Sequence, residues 1–304
     1  MRISTSWAQQ TAVNSMLDQQ SKLQQTQMQM SSGKKMLTPS DDPEAASRII
    51  DLNQSVNQTE QYQSNINTAR QRLSLEGGVL QSAVDVLHRI KELGVQGLND
   101  TNSQSDRVNM AVEMESLNDS LVSLANTKNA NGEYLFSGFK GDTQPFAKNT
   151  GGSGYTYAGD LKQRTLQIGG NRQITDGDPG VSVFGVPTNS LSAAGSNTNV
   201  FEAIDRFASD LRSNGPNSAS LDDISSALDK LLTVEAANGV RLNALDNQEG
   251  VNADFVLNTQ TVLSATEDLD YAEAISKFNQ QTVSLQAAQQ AFTQVKKLSL
   301  FNYL

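Results

Sequence analysis

The stretch KKMLTPSDDPEAAS, residues 34–47, decides how the chain is divided, because two prolines flank a pair of adjacent aspartates. Pro39 favours an extended conformation in the residue before it, so a preceding helix has to end there. Asp42 followed by Pro43 is typical of a helix start, since aspartate is a favoured N-cap and proline is favoured at the first helical position. The stretch therefore predicts a joint between two helices, formed by Pro39, Asp41, Asp42 and Pro43.

Adjacent carboxylates could instead bind Ca²⁺ or Mg²⁺, or act as paired general acids. An EF-hand loop needs alternating oxygen ligands, a central glycine and a closing glutamate, and residues 41–42, 222–223 and 267–270 lack that pattern. Helix capping is the favoured interpretation, with residues 222–223 placed in the first turn of a helix over 221–231, where negative charge complements the dipole. His88 is the single histidine. We therefore expect no catalytic residues, no metal and no cofactor.

The overall composition excludes several classes of function. The 304-residue chain has a net charge of −10, which disfavours nucleic acid and anionic membrane surfaces as partners. No apolar run reaches the ~18 residues of a membrane span, and the start MRISTSWAQQ lacks the apolar core of a secretory signal. With no cysteine, disulfides, zinc–thiolate sites and thiol nucleophiles are excluded.

Two rows of apolar residues predict a helical bundle. Steps of seven residues from Leu52 to Leu87 meet five apolar residues in six, which is typical of long helices packed as a coiled coil. A second row, from Met110 to Leu124, alternates spacings of four and three. We expect Gly77–Gly78 to weaken or bend the first helix, and Asn131–Gly132 to end the second. The predicted bundle seam comprises Leu52, Ile66, Leu73, Leu80, Leu87, Met114, Leu117 and Leu121.

Both chain ends predict long helices with thin apolar stripes. The first 32 residues and everything from Val251 onward lack glycine and proline, so uninterrupted helices are expected at both ends. Such stripes bury too little surface for stability in isolation. The end helices must pack on each other or on neighbouring copies, or stay disordered. The predicted terminal contacts are Leu17, Leu23, Met30, Ile275, Phe278, Leu285, Phe292, Leu300 and Phe301.

The middle of the chain differs from both flanks. Between Gly132 and Gly195 lie 13 of the 21 glycines and three of the six prolines, with short β-rich runs between them. The predicted fold is mainly α: an elongated, nested antiparallel helical bundle or coiled coil, with paired N- and C-terminal segments and a small β-rich inserted domain. The predicted domains are a terminal helical domain (1–40 with 265–304), a bundle (41–130 with 199–264) and the β-rich insertion (131–198).

Several motifs resemble one known family. The segments MRIST (1–5), SSGKKMLTPSDDPEAASRI (31–49), DLDYAEAISKF (268–278) and SLQAAQQAFTQVKKLSLFNYL (284–304) are similar to the flagellin superfamily. The prolines in TPSDDPEAA and the ending FNYL favour its hook–filament junction members over filament flagellin, which stays the alternative. An enzyme or adhesin carried by residues 131–198 on the same scaffold is a further alternative.

The resemblance implies a structural, non-enzymatic subunit of the extracellular bacterial flagellum, exported by the flagellar type III pathway without a cleaved signal. It implies a homo-oligomeric ring between the first junction protein, hook-associated protein 1, and flagellin. It further implies monomer termini that are disordered and a cytoplasmic export chaperone bound to the C-terminal helix, with no nucleic acid and no membrane insertion. Residues 87–99 resemble a flagellin segment that packs between subunits and is recognised by an innate immune receptor, although Gly94 and Gly97 replace the usual alanines.

Overall fold

A computed structural model describes residues 2–149, 154–187 and 199–297. Its described residues form a mainly helical fold with a small β-containing region, which confirms the predicted fold class at that level. The helices are α1 (Arg2–Ser32), α2 (Pro43–Gly97), α3 (Gln104–Ala125), α4 (Gly180–Phe184), α5 (Val200–Arg212), α6 (Ser218–Glu267) and α7 (Tyr271–Lys297). The strands are β1 (Phe146–Lys148), β2 (Tyr155–Tyr157), β3 (Thr165–Gly169) and β4 (Arg172–Thr175).

The chain forms two compact units. The terminal unit comprises Met1–Gln58 and Asp254–Leu304, and the bundle unit comprises Thr59–Ala253. In the terminal unit α1 packs along α7. The three-part domain organisation stays a prediction. None of the described helices is long and apolar enough to cross a membrane.

The predicted uninterrupted C-terminal helix is wrong. Helix α6 ends at Glu267 and α7 starts at Tyr271. Asp270 causes the restart, because its Oδ1 accepts hydrogen bonds from the backbone N–H groups of Ala272 and Glu273, at 2.8 and 3.2 Å. An aspartate side chain that caps the next helix competes with continuation of the previous one.

The larger hydrophobic core of the bundle unit joins helices to the β-rich region. Phe146 of β1 lies 5.1 Å from Phe201 of α5 and 5.7 Å from Phe184 of α4, measured between ring centroids. Phe136 and Tyr155 are buried in the same cluster. Phe136, Phe146, Tyr155 and Phe184 therefore fill a core that the β-rich region shares with the helices, whereas Phe139 is exposed.

A second, smaller core lies under a β-hairpin. Strands β3 and β4 pair antiparallel, with an irregularity between Gln167 and Gly169. Ile168 and Ile174 of this hairpin pack with Leu73 of α2 and Leu245 of α6. Strands β1 and β2 form a separate antiparallel pair.

Two predicted helix features of the bundle unit can be compared with the structure. Helix α2 is continuous through Gly77–Gly78, and Asn238 Nδ2 of α6 donates to the carbonyl of Leu73 one turn earlier, at 2.9 Å. Weakening or bending of α2 at the two glycines stays a prediction. Helix α3 ends at Ala125, before Asn131–Gly132. The side chain of Asn126 exchanges hydrogen bonds with the backbone of Phe146, at 2.9 and 3.0 Å, and directs the chain towards β1.

The predicted role of Asp222–Asp223 is also wrong. Helix α6 begins at Ser218, so these residues lie beyond its first turn. Asp223 is buried and pairs with Arg206 of α5, with 2.6 Å between Oδ2 and Nη2. The pair joins two helices, and a buried charge needs such a partner.

Candidate assembly surfaces

The predicted joint lies between α1 and α2. Asp42 Oδ1 accepts a hydrogen bond from the N–H of Ala45 at 3.0 Å, and Pro43 is the first residue of α2. Asp41 Oδ2 accepts from the backbone N–H groups of Leu37 and Thr38, both at 3.0 Å. The two carboxylates therefore organise the turn that starts α2.

The same hydrogen bonds bear on the alternative that Asp41 and Asp42 bind a metal ion or act as paired general acids. The backbone bonds to Thr38 and Leu37 lower the pKa of Asp41, which favours a permanently ionised hydrogen-bond acceptor. Asp41 and Asp42 line a cleft of about 570 Å³ together with residues of α1 and α7. Among the described residues, no group of three or more potential metal ligands comes together. The observed role of both aspartates is local backbone structure.

A second feature of the joint is a clasp between residues 33–35 and residues 267–269, which the sequence did not predict. Leu269 N–H donates to the carbonyl of Gly33 at 2.9 Å, and Lys35 N–H donates to that of Glu267 at 2.7 Å. Lys34 and Glu267 form an ion pair that raises the pKa of the lysine. Gly33 has φ +72°, which favours glycine there. The clasp fixes the end of α1 beside the start of α7.

The predicted terminal contacts separate into two groups. Leu23, Met30, Phe278, Leu285 and Phe292 are half-buried, whereas Leu17 and Ile275 are exposed. Close to the clasp, the hydroxyl of Tyr271 donates to the carbonyl of Met30 at 3.2 Å, joining α7 to α1. Leu300 and Phe301 lie outside the described residues.

Three large apolar side chains of helix α1 lie on the side away from its half-buried face. Trp7, Leu17 and Met28 are 71%, 58% and 54% exposed. They stand ten and eleven residues apart, which is close to three turns at 3.6 residues per turn, so they share one side of the helix. The half-buried Leu23 and the buried Thr26 stand on the other side. We call Trp7, Leu17 and Met28 the outer stripe.

The terminal unit has almost no core of its own. Among the side chains that the structure describes, its only buried hydrophobic residues are Val56 and Ala274. Its exposed large apolar residues are far more numerous: Trp7, Leu17, Met28, Ile50, Phe255, Leu257, Val262, Tyr271, Ile275 and Val283. Helices that bury so little apolar surface are marginally stable in isolation.

The predicted bundle seam is mostly buried. Leu117 and Leu52 are half-buried, and Leu52 belongs to the terminal unit. The other seam residues are fully buried: Ile66, Leu73, Leu80, Leu87, Met114 and Leu121. Ile66 and Leu73 belong to the smaller core, the remaining four to the larger one.

The glycines of residues 87–99 are packing positions. A Cβ on Gly94 would lie 2.7 Å from Leu221 Cδ1 and 3.2 Å from a ring carbon of Phe207, and a Cβ on Gly97 would lie 2.6 Å from Leu211 Cδ2. The two glycines therefore admit α5 and the start of α6 close to α2. We call Gly94 and Gly97 the glycine notch.

Comparison with known proteins bears on these surfaces. The flagellar hook-associated protein 3 of Escherichia coli strain K12 is 32% identical over an alignment of 317 positions, which covers 99% of each chain. The protein of the same name from Salmonella typhimurium is 31% identical, with the same coverage. The chain belongs to the flagellar hook-associated protein 3 family. The model of the bacterial flagellin N-terminal helical region also matches residues 3–140.

Solved structures agree with membership of the hook-associated protein 3 family. A putative flagellar hook-associated protein from Vibrio parahaemolyticus is 27% identical, with a TM-score of 0.65, over 75% of this chain and 100% of its own. Hook-associated protein 3 of Legionella pneumophila is 25% identical, with a TM-score of 0.63, over 70% of this chain and 97% of its own.

Filament flagellins match this chain over a smaller share of its length than the hook-associated protein 3 relatives do. Polar flagellin A of Vibrio parahaemolyticus is 28% identical over 48% of this chain and 39% of its own. The likeness to hook-associated protein 3, in contrast, extends over both full chains. The predicted resemblance to the junction members is confirmed, and filament flagellin is the weaker alternative.

Proposed function

We propose that the chain is a non-enzymatic structural adaptor that joins the flagellar hook to the flagellin filament, and that it assembles through its terminal unit. The observation that carries the proposal is the imbalance among the described side chains of that unit: its buried hydrophobic residues are Val56 and Ala274, whereas ten large apolar side chains are exposed. Association that covers apolar surface is favourable at roughly 25 cal/mol per Å². Neighbouring subunits supply the cover that the monomer lacks.

The proposed partners follow from the family. Copies of this chain form a ring, which contacts hook-associated protein 1 on the hook side and flagellin on the filament side. Before export by the flagellar type III pathway, a cytoplasmic chaperone covers the apolar residues of the C-terminal helix. Export requires no cleaved signal, and the assembled protein is extracellular. Support comes from the family membership and from the exposed faces of α1 and α7.

A binding experiment with isolated hooks tests the proposal. Purified chain is added to hooks with and without hook-associated protein 1, and bound protein is measured by sedimentation and electron microscopy. We expect saturable binding only when hook-associated protein 1 is present. Long filaments grown from this chain alone would favour a filament subunit instead, and equal binding to bare hooks would contradict the adaptor role.

A matched pair of variants locates the contact surface. Leu17→Gln removes an apolar side chain from the outer stripe, so binding should weaken by about tenfold, as for the loss of a well-packed interface residue. Leu161→Gln changes a side chain of the bundle unit that is 68% exposed, and it should bind like the parent. Equal binding by both variants would exclude the outer stripe from the interface.

A further inference from the structure

The methionines of the chain are unevenly distributed between its two units. Five of the seven, at positions 1, 16, 28, 30 and 36, lie in the first 36 residues. Met110 and Met114 are buried in the bundle core, at 6% and 0% exposure. A thioether side chain adapts to irregular apolar surfaces, and it is the apolar side chain that mild oxidants convert into a polar one.

Met28 combines exposure with a place in the outer stripe. It is 54% exposed, whereas Met16, Met30 and Met36 are half-buried in the terminal unit. Its half-buried neighbour Met30 stands on the α7 side of α1, where its carbonyl accepts from the hydroxyl of Tyr271. The thioether of Met28 is therefore open to solvent in the monomer and, on the proposed function, covered in the assembly.

We propose that Met28 is an oxidation site that controls assembly: its sulfoxide blocks the association of the terminal unit. A peroxide supplies the oxygen. The O–O bond breaks as the S–O bond forms, the sulfur loses two electrons, and hydrogen peroxide is reduced to water. No bond of the chain breaks in this step.

The physical effect rests on polarity at the interface. A sulfoxide oxygen is a strong hydrogen-bond acceptor, and covering it without a donor is unfavourable. The other outer-stripe residues, Trp7 and Leu17, are apolar; of the two, only the indole N–H of Trp7 could donate, and it lies about six turns away, about 32 Å at 1.5 Å per residue. The modified stripe therefore favours the free monomer. This inference rests on the proposed function, because it assumes that the outer stripe is covered in the assembly.

The first test measures oxidation by position. The free chain is treated with dilute hydrogen peroxide, and sulfoxide formation is followed by peptide mass spectrometry. We expect Met28 to react at least about tenfold faster than Met110 and Met114, because exposure controls access, and to be protected when the chain is bound to hooks carrying hook-associated protein 1. Equal rates at the three positions, or no protection on binding, would overturn the proposal.

The second test measures binding after oxidation. The oxidised parent should bind hooks about tenfold more weakly, as expected for an unpaired polar group in an interface. Peroxide should cause no loss of binding in Met28→Leu relative to the same variant before treatment, while Met28→Gln should bind more weakly than the parent without any treatment. Circular dichroism checks that both variants keep the helical content of the parent.

The outcomes separate this inference from the proposed function. If the untreated parent fails to bind, the proposed function fails, and the inference fails with it. If the untreated parent binds and the oxidised parent binds equally well, the inference alone is overturned. A loss of binding in oxidised Met28→Leu that equals the loss in the parent would assign the effect to another methionine and would also overturn it.

Discussion

Glu76 is a carboxyl group buried within a network of charges in the bundle unit. Its Oε1 accepts the backbone N–H of Asp178 at 3.1 Å, and Arg241 donates twice to the Asp178 carboxylate, at 2.7 and 3.0 Å. Burial, and then the negative charge of Asp178, raise the pKa of Glu76 to about 8, although the hydrogen bond, Arg241 and Arg72 oppose the shift. The network joins α2, the chain after β4, and α6.

The raised pKa predicts a pH-dependent stability. The native state holds a proton on Glu76 up to about pH 8, whereas the unfolded chain releases it near pH 4.5. The free energy of unfolding should therefore fall between pH 4.5 and 8 and level off above that range. Glu76→Gln should flatten this slope and be the more stable at pH 8, by urea denaturation. The exposed Glu60→Gln should keep the slope, and an unchanged slope in Glu76→Gln would contradict the assignment.

Asp42 gives a second prediction for a single residue. Asp42→Ala removes the N-cap bond to Ala45, so the start of α2 should lose on the order of 1 kcal/mol of stability. Faster hydrogen exchange at the amides of residues 44–46 would show this loss. Asp51→Ala, at an exposed position on the same helix, is the control. Exchange that is unchanged in Asp42→Ala, or a loss of bound metal, would contradict the capping role.

At the scale of elements, the glycine notch determines how closely α5 and α6 approach α2. Gly94→Ala should destabilise the bundle unit, because overpacking costs about 1–3 kcal/mol and outweighs a gain in helix propensity of about 1 kcal/mol. Gly78→Ala is the matched control, since no atom lies within 4 Å of its Cβ position, and it should be stabilising. Thermal unfolding measures the stability of both variants. If both substitutions stabilise the protein, Gly94 is not required for the close packing of α5 and α6 on α2.

An element can be predicted from the sequence when the residues that determine it lie close together along the chain. Helices α2 and α3 could be predicted because their apolar residues repeat at helical spacing, and the start of α2 because Asp42 and Pro43 are local signals. The shared core of Phe146, Phe184 and Phe201 could not, since its partners are up to 55 residues apart in the sequence. Asp270 with Glu273 was a local signal for the start of α7 that was available in the sequence and was missed.

At the candidate site, the clasp and the outer stripe could not be predicted for the same reason, because they depend on contacts between residues that are far apart in the sequence. Gly33 and Leu269 meet only because α1 and α7 pack together, and no spacing within either segment indicates that pair. Leu17 was predicted as a terminal contact, but Met28 was not assigned with it. Their spacing of three turns is recognisable only when the other face of α1 is known to lie against α7.

At the scale of the whole molecule, the contrast between the two units predicts a pattern of proteolysis. Within the part of the chain that the structure describes, the bundle unit has two hydrophobic cores, whereas the terminal unit buries only Val56 and Ala274 among its hydrophobic residues. Limited proteolysis of the dilute monomer should remove roughly the first 35–50 and the last 30–40 residues and leave a stable middle, because chain ends without partners are labile. Mass spectrometry of the products checks this, and resistant ends in the monomer would contradict the expected disorder.

The central claim is that the outer stripe of the terminal unit becomes covered on assembly, and Trp7 reports it directly. Trp7 is the only tryptophan in the chain and is 71% exposed, so replacing it with 5-hydroxytryptophan gives one fluorophore that can be excited apart from the tryptophans of the hook. Acrylamide quenching is measured on the free chain and on the chain bound to hooks that carry hook-associated protein 1. The account predicts strong quenching in the free chain and weak quenching in the bound chain, with a blue-shifted emission. Equally strong quenching in both states would contradict it.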